Sequence, residues 1–169
     1  MKRNLMIGLA AIIIIIVVIA AGAIISLGNQ ENSNYTPKVG DFIKYEESFN
    51  NTQHTGNVTY EILGVNSTEV FLKQTDDVSI TYLNMTENKT FFALDVNQHP
   101  AYYNLTNLGK ETIDTKWGMR STEHYSLSAL NMHEDLWMRN GVLVKLEWRT
   151  ALMTVTAVMV DTNISQITG

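Results

Sequence analysis

The sequence predicts a mainly β protein, an antiparallel sheet curved into a half-barrel or sandwich, preceded by one transmembrane α-helix. Three observations carry this reading. An apolar segment near the N-terminus is long enough to cross a bilayer. The rest of the chain reads as short alternating runs with turn signals about every 8–12 residues. An Asn-Gly pair, the strongest two-residue hairpin signal, sits between two apolar runs.

The apolar segment runs from Leu5 to Leu27, broken only by Gly8, Gly22 and Ser26. A helix of that length reaches about 35 Å, against a hydrocarbon core of roughly 30 Å. The Ile12–Ile16 run suits a strand in water, but in lipid a lone segment must satisfy its own backbone hydrogen bonds, and only a helix does so. Lys2 and Arg3 precede the span, and no further Lys or Arg occurs until Lys38, which keeps the N-terminus cytoplasmic. The expected organisation is a cytoplasmic N-terminus (1–4), a signal-anchor helix (5–27) in contact with the lipid bilayer, a linker (28–37) and an extracytoplasmic β-domain (38–169). A cleaved signal peptide is the rival, with Ala21-Gly22-Ala23 as its site, although signal h-regions of about 7–15 residues are shorter than this run. Gly22 and Ser26 form a small-xxx-small pair, a weak helix-pairing signal and a common feature of such helices.

Beyond residue 28 lie all 17 acidic residues and 10 of the 12 basic ones, a net of −7 with no basic cluster. That distribution argues against nucleic acid as a partner. Without cysteine the chain has neither disulfides nor a lipidated thiol. Its most informative feature is a set of eight N-x-S/T tripeptides, at Asn34, Asn50, Asn57, Asn66, Asn84, Asn88, Asn104 and Asn163. Composition alone predicts about three, so the excess marks these asparagines as glycosylation candidates and supports an extracytoplasmic location. The bland alternative is a turn-rich β protein dense in Asn, Ser and Thr with nothing attached.

The strands follow in order. Ile43, Tyr45 and Phe49 share one face of the first, and Val58, Tyr60 and Ile62 one face of the second. Asn66-Ser67-Thr68 turns the chain into Val70 and Leu72, and Asp76-Asp77 begins the return through Val78, Ile80 and Tyr82. Thr86 to Lys89 is a turn into Thr90–Leu94. From Val96 to Gly109, including Tyr102-Tyr103, the period lapses, predicting a long connection or short helix. Glu111–Thr115, a turn near Trp117-Gly118 and Met119–Leu127 follow. The clearest hairpin is Leu136–Met138, Arg139-Asn140-Gly141, Val142–Trp148, with Arg139 opposite Val142 and Trp137 opposite Val144 on the face of Leu146 and Trp148. The last run, Ala151–Val160, is apolar on both sides, which predicts a central strand or one that lines a cavity. Trp117, Trp137, Val144 and Trp148 are core or the lining of an apolar pocket.

The stretch E-T-I-D-T-K-W-G-M-R-S-T-E-H-Y at 111–125, followed by D-L-W-M-R-N-G-V-L-V-K-L-E-W at 135–148, resembles the late hairpins of exported half-barrels of the lipoprotein-carrier type. V-G-D-F-I-K-Y at 39–45 resembles the first strand of archaeal membrane-anchored surface proteins. The resemblance covers about a third of the chain and carries no catalytic or ligand residue. It implies a curved sheet whose concave side holds an acyl chain or another apolar ligand. A membrane span in place of a lipidated cysteine departs from the bacterial carriers and puts shuttling in doubt, though not a tethered binding role.

Catalytic motifs are absent: His133-Glu134 begins an H-E-x-x-H pattern, but position 137 is Trp. His124 with Glu123, and His133 with Glu134 and Asp135, meet across strands in a minority metal-site reading; surface histidines beside acids are commoner. Asp76-Asp77 reads as a turn before it reads as a calcium site. The expectation is a membrane-anchored extracytoplasmic β-domain without a cofactor, a structural or interaction module of the cell surface that meets other surface or membrane proteins. The alternatives are a tethered binder of an apolar ligand and, last, an enzyme.

Overall fold

The computed structural model describes residues 35–50, 55–86, 104–129 and 131–169. The predicted span at 5–27, most of the linker, Asn34, Asn88, the expected strand Thr90–Leu94 and Tyr102-Tyr103 lie outside the described residues. Among the described residues no helix is long and apolar enough to cross a membrane.

The described chain forms nine strands: β1 (Phe42–Phe49), β2 (Thr55–Val65), β3 (Glu69–Asp76), β4 (Ile80–Thr86), β5 (Asn104–Thr115), β6 (Gly118–Ala129), β7 (Met132–Arg139), β8 (Val142–Thr150) and β9 (Thr154–Thr162). A single-turn helix, α1 (Ser165–Thr168), follows. All pairings are antiparallel and build one sheet in the order β4-β3-β2-β1-β9-β8-β7-β6-β5. The apolar last strand lies at its centre, between β1 and β8, as two-sided hydrophobicity predicts.

Each strand pairs where its alternation puts apolar side chains on a common face. Tyr45 stands opposite Val58 and Met159, Leu146 opposite Leu136 and Ala157, and Trp148 opposite Val155. These residues, with Ile43, Tyr60, Ile62, Val70, Leu72, Tyr125 and Leu127, belong to one buried cluster on the inner face. Buried apolar side chains of this size contribute about 1.5–3 kcal/mol each, the main force holding the sheet.

The sheet is strongly curled. β5 lies four strands from β9 in the ladder, yet the β5–β6 hairpin reaches back, with Lys116 Nζ 3.6 Å from Asp161 Oδ1. Register shifts between Lys44 and Tyr45, Ile62 and Gly64, Asn107 and Gly109, and Trp137 and Met138 supply local bends, since a bulge sharpens twist where it occurs. α1 is held against the β5–β6 and β7–β8 turns, its carbonyls taking N–H donors from Arg120 to Thr168 O, Arg139 to Gln166 O and Gly169 O, and Asn140 to Gln166 O. Cationic side chains suit this end of a helix, where unpaired carbonyls point outward.

The Arg139–Val142 pairing holds, with Asn140 at φ 51° and Gly141 at φ 79° making the turn. Two expectations are corrected. Strand β5 begins at Asn104, so the predicted connection over Val96–Gly109 is a strand in its described part; an edge strand has one hydrogen-bonded neighbour and need not alternate cleanly. Trp137 stands opposite Lys145, not Val144, and therefore on the outer face, away from Leu146 and Trp148. The bulge in β8 at Val144 shifts the register by one, and a one-residue shift exchanges faces.

Candidate functional site

Two polar constellations stand on opposite faces of the sheet. On the outer face of β5–β8 the ladder sets His124 opposite Trp137 and Trp137 opposite Lys145, with Ser126, Asp135 and Glu147 in the next row. Asp135 is 5% exposed and is the hub. His124 Nε2 lies 3.3 Å from its Oδ1, His133 Nε2 lies 3.3 Å from its Oδ2, and Arg149 donates an N–H to the same oxygen. Arg149 also pairs with Glu147 at 3.4 Å, and Glu147 with Lys145 at 3.9 Å.

The same cluster buries Trp137, which is 6% exposed. His124 stacks on the indole at 4.4 Å between centroids and 15° between planes, and Lys145 Nζ sits 4.0 Å from the ring centre. Indole Nε1 donates to Glu111 Oε2 at 2.8 Å, and that oxygen lies 2.9 Å from His124 Nδ1. A cation over an indole face adds to ordinary packing. His124 thus meets Glu111 and Asp135 rather than its sequence neighbour Glu123, whose carboxylate accepts the Tyr125 hydroxyl. Among the described residues no group of His, Asp or Glu is arranged to hold a metal ion.

One chain of contacts has the order of an acyl-transfer nucleophile: Asp135, then His133, then Ser128, whose Oγ is 2.9 Å from His133 Nδ1. Ser126 Oγ contacts His133 Nε2 at 3.3 Å. However, β6 is paired on both flanks at Ser128, leaving the strand edges committed to the ladder rather than open as oxyanion donors. The constellation sets three donors around the Asp135 carboxylate. Asp135→Ala strips three donors of their acceptor and is expected to cost about 1–3 kcal/mol, below the value for a fully buried pair because Arg149 is 43% exposed. Urea melts measure it, and an unchanged midpoint would show that Asp135 anchors nothing.

The inner face carries the second constellation, at the end of the sheet away from α1. Glu47, on the face of Ile43 and Tyr45, stands opposite Ala157 and Gly56. Burial, then the charges of Asp76 and Asp77, push its carboxyl up to about 7. Glu134 stands opposite Trp148 and Leu127; burial, then Asp135, pushes it up to about 8. Gln74 Oε1 and Trp148 Nε1 are buried without a hydrogen-bond partner. Tyr45 and Tyr60 meet edge to face at 6.3 Å, and burial raises both hydroxyls well above the usual range.

Of the apolar candidates, Val144 and Trp148 lie in the buried cluster, Trp137 is buried beneath the outer network, and Trp117 packs at the cluster's margin. Of the sequon asparagines, Asn50, Asn57, Asn66, Asn84 and Asn163 are exposed. Asn163 staples the chain ends, its Oδ1 accepting Phe42 N–H at 2.9 Å and its Nδ2 donating to Gly40 O at 3.0 Å. Asn66 closes its own turn by accepting the N–H groups of Thr68 and Glu69. Glu47, Gln74, Glu111 and Arg149 were not singled out in the sequence. The only signal that could have found Glu47 is parity, since it is a carboxylate at an inward position of an otherwise apolar stripe.

No protein-family model and no curated protein sequence matches the chain. It is similar to a solved protein from Bacteroides fragilis, described as exported and of YmcC-like fold, at 9% identity over 76% of this chain and 98% of that one, with a TM-score of 0.45. A solved protein from Parabacteroides distasonis, described as a lipoprotein, is similar at 9% identity over 75% of this chain and 96% of that one, with a TM-score of 0.47. With so little identity and so partial a superposition, function rests on the chain's own residues.

Proposed function

We propose that the protein is a membrane-anchored extracytoplasmic recognition module that works by binding other surface or membrane proteins through the outer face of β6–β8. The observation that supports this is where the sequons fall. Eight occur in the chain, none between residues 105 and 162, so β6–β9 carry no sugar acceptor while the Asp135 network and Trp137 lie on their outer face. The opposite half is different. Phe71, Ile80 and Tyr82 are exposed on the outer face of β3–β4, and Asn84 pairs directly with Phe71. A glycan there covers an apolar stripe that otherwise invites association. On the charged half only Asn104, opposite Ser128 at the start of β5, borders the outer face with a sequon, which leaves the rest of that face for a partner.

The reading requires the apolar segment at 5–27 to anchor the chain with its C-terminus outside. Three measurements test it together. Glycopeptide mass spectrometry of native protein is expected to find sugar on Asn57 and Asn84, whose side chains are exposed. A C-terminal tag is expected to be cut by protease added to intact cells. A photo-crosslinking residue at Ser128 is expected to yield discrete higher-mass adducts, and one at Tyr82 none. Bare peptides, a protected tag, or adducts at Tyr82 alone would overturn it.

The alternative of an apolar ligand on the inner face is supported by Trp148 Nε1, a buried donor without a partner beside Glu134. Against it stands the continuity of the buried cluster, which reads as the sheet's own core.

A further inference from the structure

The α1 end of the sheet is where the chain comes in from its apolar segment. Tyr35 is 4% exposed and belongs to the buried cluster. Its hydroxyl donates to the Asp41 carboxylate, which also accepts the Lys38 N–H at 2.9 Å. The chain is therefore fixed to the sheet from Tyr35 onward. Tyr35 is the eighth residue after Leu27, and at roughly 3.3–3.6 Å per residue the two lie at most about 28 Å apart. Eight-residue strands such as β1 and β3 are themselves about 26 Å long. With the segment at 5–27 in a bilayer, the α1 end is held near the lipid, and the opposite end reaches it only on a fully drawn tether.

What this end presents suits a lipid surface. Val39 is 66% exposed and Leu63 45%, and Val65 is exposed as well. The turn before β1 brings them together by running along β2: Gly40 N–H bonds Ile62 O and Ile62 N–H bonds Asp41 O, each at 2.9 Å. Lys38, next to Val39, is exposed. Three acids at this end are already bonded: Asp41 by Tyr35 and Lys38, Asp161 by Lys116 at 3.6 Å, and Glu69 by the Asn66 side chain at 3.5 Å. Apolar side chains beside a lysine fit the boundary between headgroups and acyl chains, where the first are buried and the second meets phosphate. Exposure alone does not choose the end, since Leu152 in the β8–β9 turn, at the far end, is 88% exposed. The tether chooses it, because a weak contact is occupied when the chain itself holds it at high local concentration.

We propose that the α1 end of the sheet rests on the headgroup layer of the bilayer, with Val39, Leu63 and Val65 entering it and Lys38 meeting a lipid phosphate. This rests on the reading of residues 5–27 as an anchor, and it fixes what that reading leaves open, namely which end of the domain faces the lipid.

The chain contains no cysteine, so Val39→Cys, Leu63→Cys and Leu152→Cys each accept a single environment-sensitive fluorophore. The test places the labelled full-length chain in phosphatidylcholine vesicles that carry a nitroxide on the headgroup, a quencher of fluorophores near the surface. Labels at 39 and 63 are expected to be quenched at least about twofold more than the label at 152, because interfacial groups sit roughly 5–10 Å into the headgroup boundary while the far end stands about 26 Å away. Leu63→Asp, at an exposed position, is expected to bring the label at 39 to the level of the label at 152. Equal quenching at all three positions in protein that floats with the vesicles would overturn the docking and leave the anchor standing. Protein that does not float with the vesicles would overturn both. Sugar on Asn66 of the native protein, which holds the turn after Val65 off the headgroups, would overturn the docking alone.

Discussion

Replacing Trp137 with alanine is expected to destabilise the protein by about 3–5 kcal/mol, the range for truncating a buried aromatic residue. The indole lies between two strands' worth of contacts, stacked by His124 from β6 and approached by Lys145 from β8, and its Nε1 bonds Glu111. Truncation leaves a cavity beneath the network and strips Glu111 of a donor. Trp137→Phe keeps most of the packing and loses the hydrogen bond, so its effect is expected near about 1–2 kcal/mol. Urea melts followed by circular dichroism measure both. If alanine shifts the midpoint no more than phenylalanine does, the residue is not packed between β6 and β8.

Stability is expected to fall as the medium turns alkaline, through Glu134 and Glu47. Burial raises the two carboxyls to about 8 and about 7, from 4.5. The sign follows from proton counting. Between roughly pH 4.5 and 8 the unfolded chain has released protons that the folded one still holds, so each unit of pH favours unfolding. Their contribution is greatest below the unfolded value and is lost as pH rises through the folded values. A drop of several kcal/mol between pH 5 and pH 9 is expected, at most about 7, since one pKa unit corresponds to about 1.4 kcal/mol. Glu134→Gln, which stays neutral, is expected to flatten most of that slope. Melts at pH 5, 7 and 9 decide it, and equal stability at pH 5 and 9 in the parent chain would show that these carboxyls are not buried in neutral form.

Much of the fold was legible from local rules. Period-two alternation placed Ile43, Tyr45, Val58, Tyr60 and Ile62 on the buried face, because a pleated strand sends successive side chains to opposite sides. Asn140-Gly141 specified its turn, because few residues accept positive φ at both positions. The apolar character of both sides of β9 told of a central strand before its neighbours were known.

What alternation cannot convey is a break in its own count. The β8 bulge carried Trp137 to the other face, and nothing in V-L-V-K announces an extra residue. The outer network was half visible: His124, His133 and Asp135 stood out as types, but which acid each histidine meets depends on which strands pair and in what register. Glu111 comes from β5 and Arg149 from β8, on either side of the β6–β7 hairpin. The inner acids were less visible still, since Glu47 and Asp76 share a face only through the registers in which β1 and β3 each pair with β2.

By itself, then, the amino-acid order determined the β class, most strands, the hairpin turns and the positions of the N-x-S/T tripeptides, because each follows from sterics and polarity within a few residues. Only the tertiary structure decided that β9 closes on β1, that the sheet curls until its β5–β6 hairpin reaches β9, and that Glu47 feels the charges of Asp76 and Asp77 from a strand that is not its neighbour. Those outcomes come from burying the inner faces of nine strands against one another, a choice made by the whole chain at once.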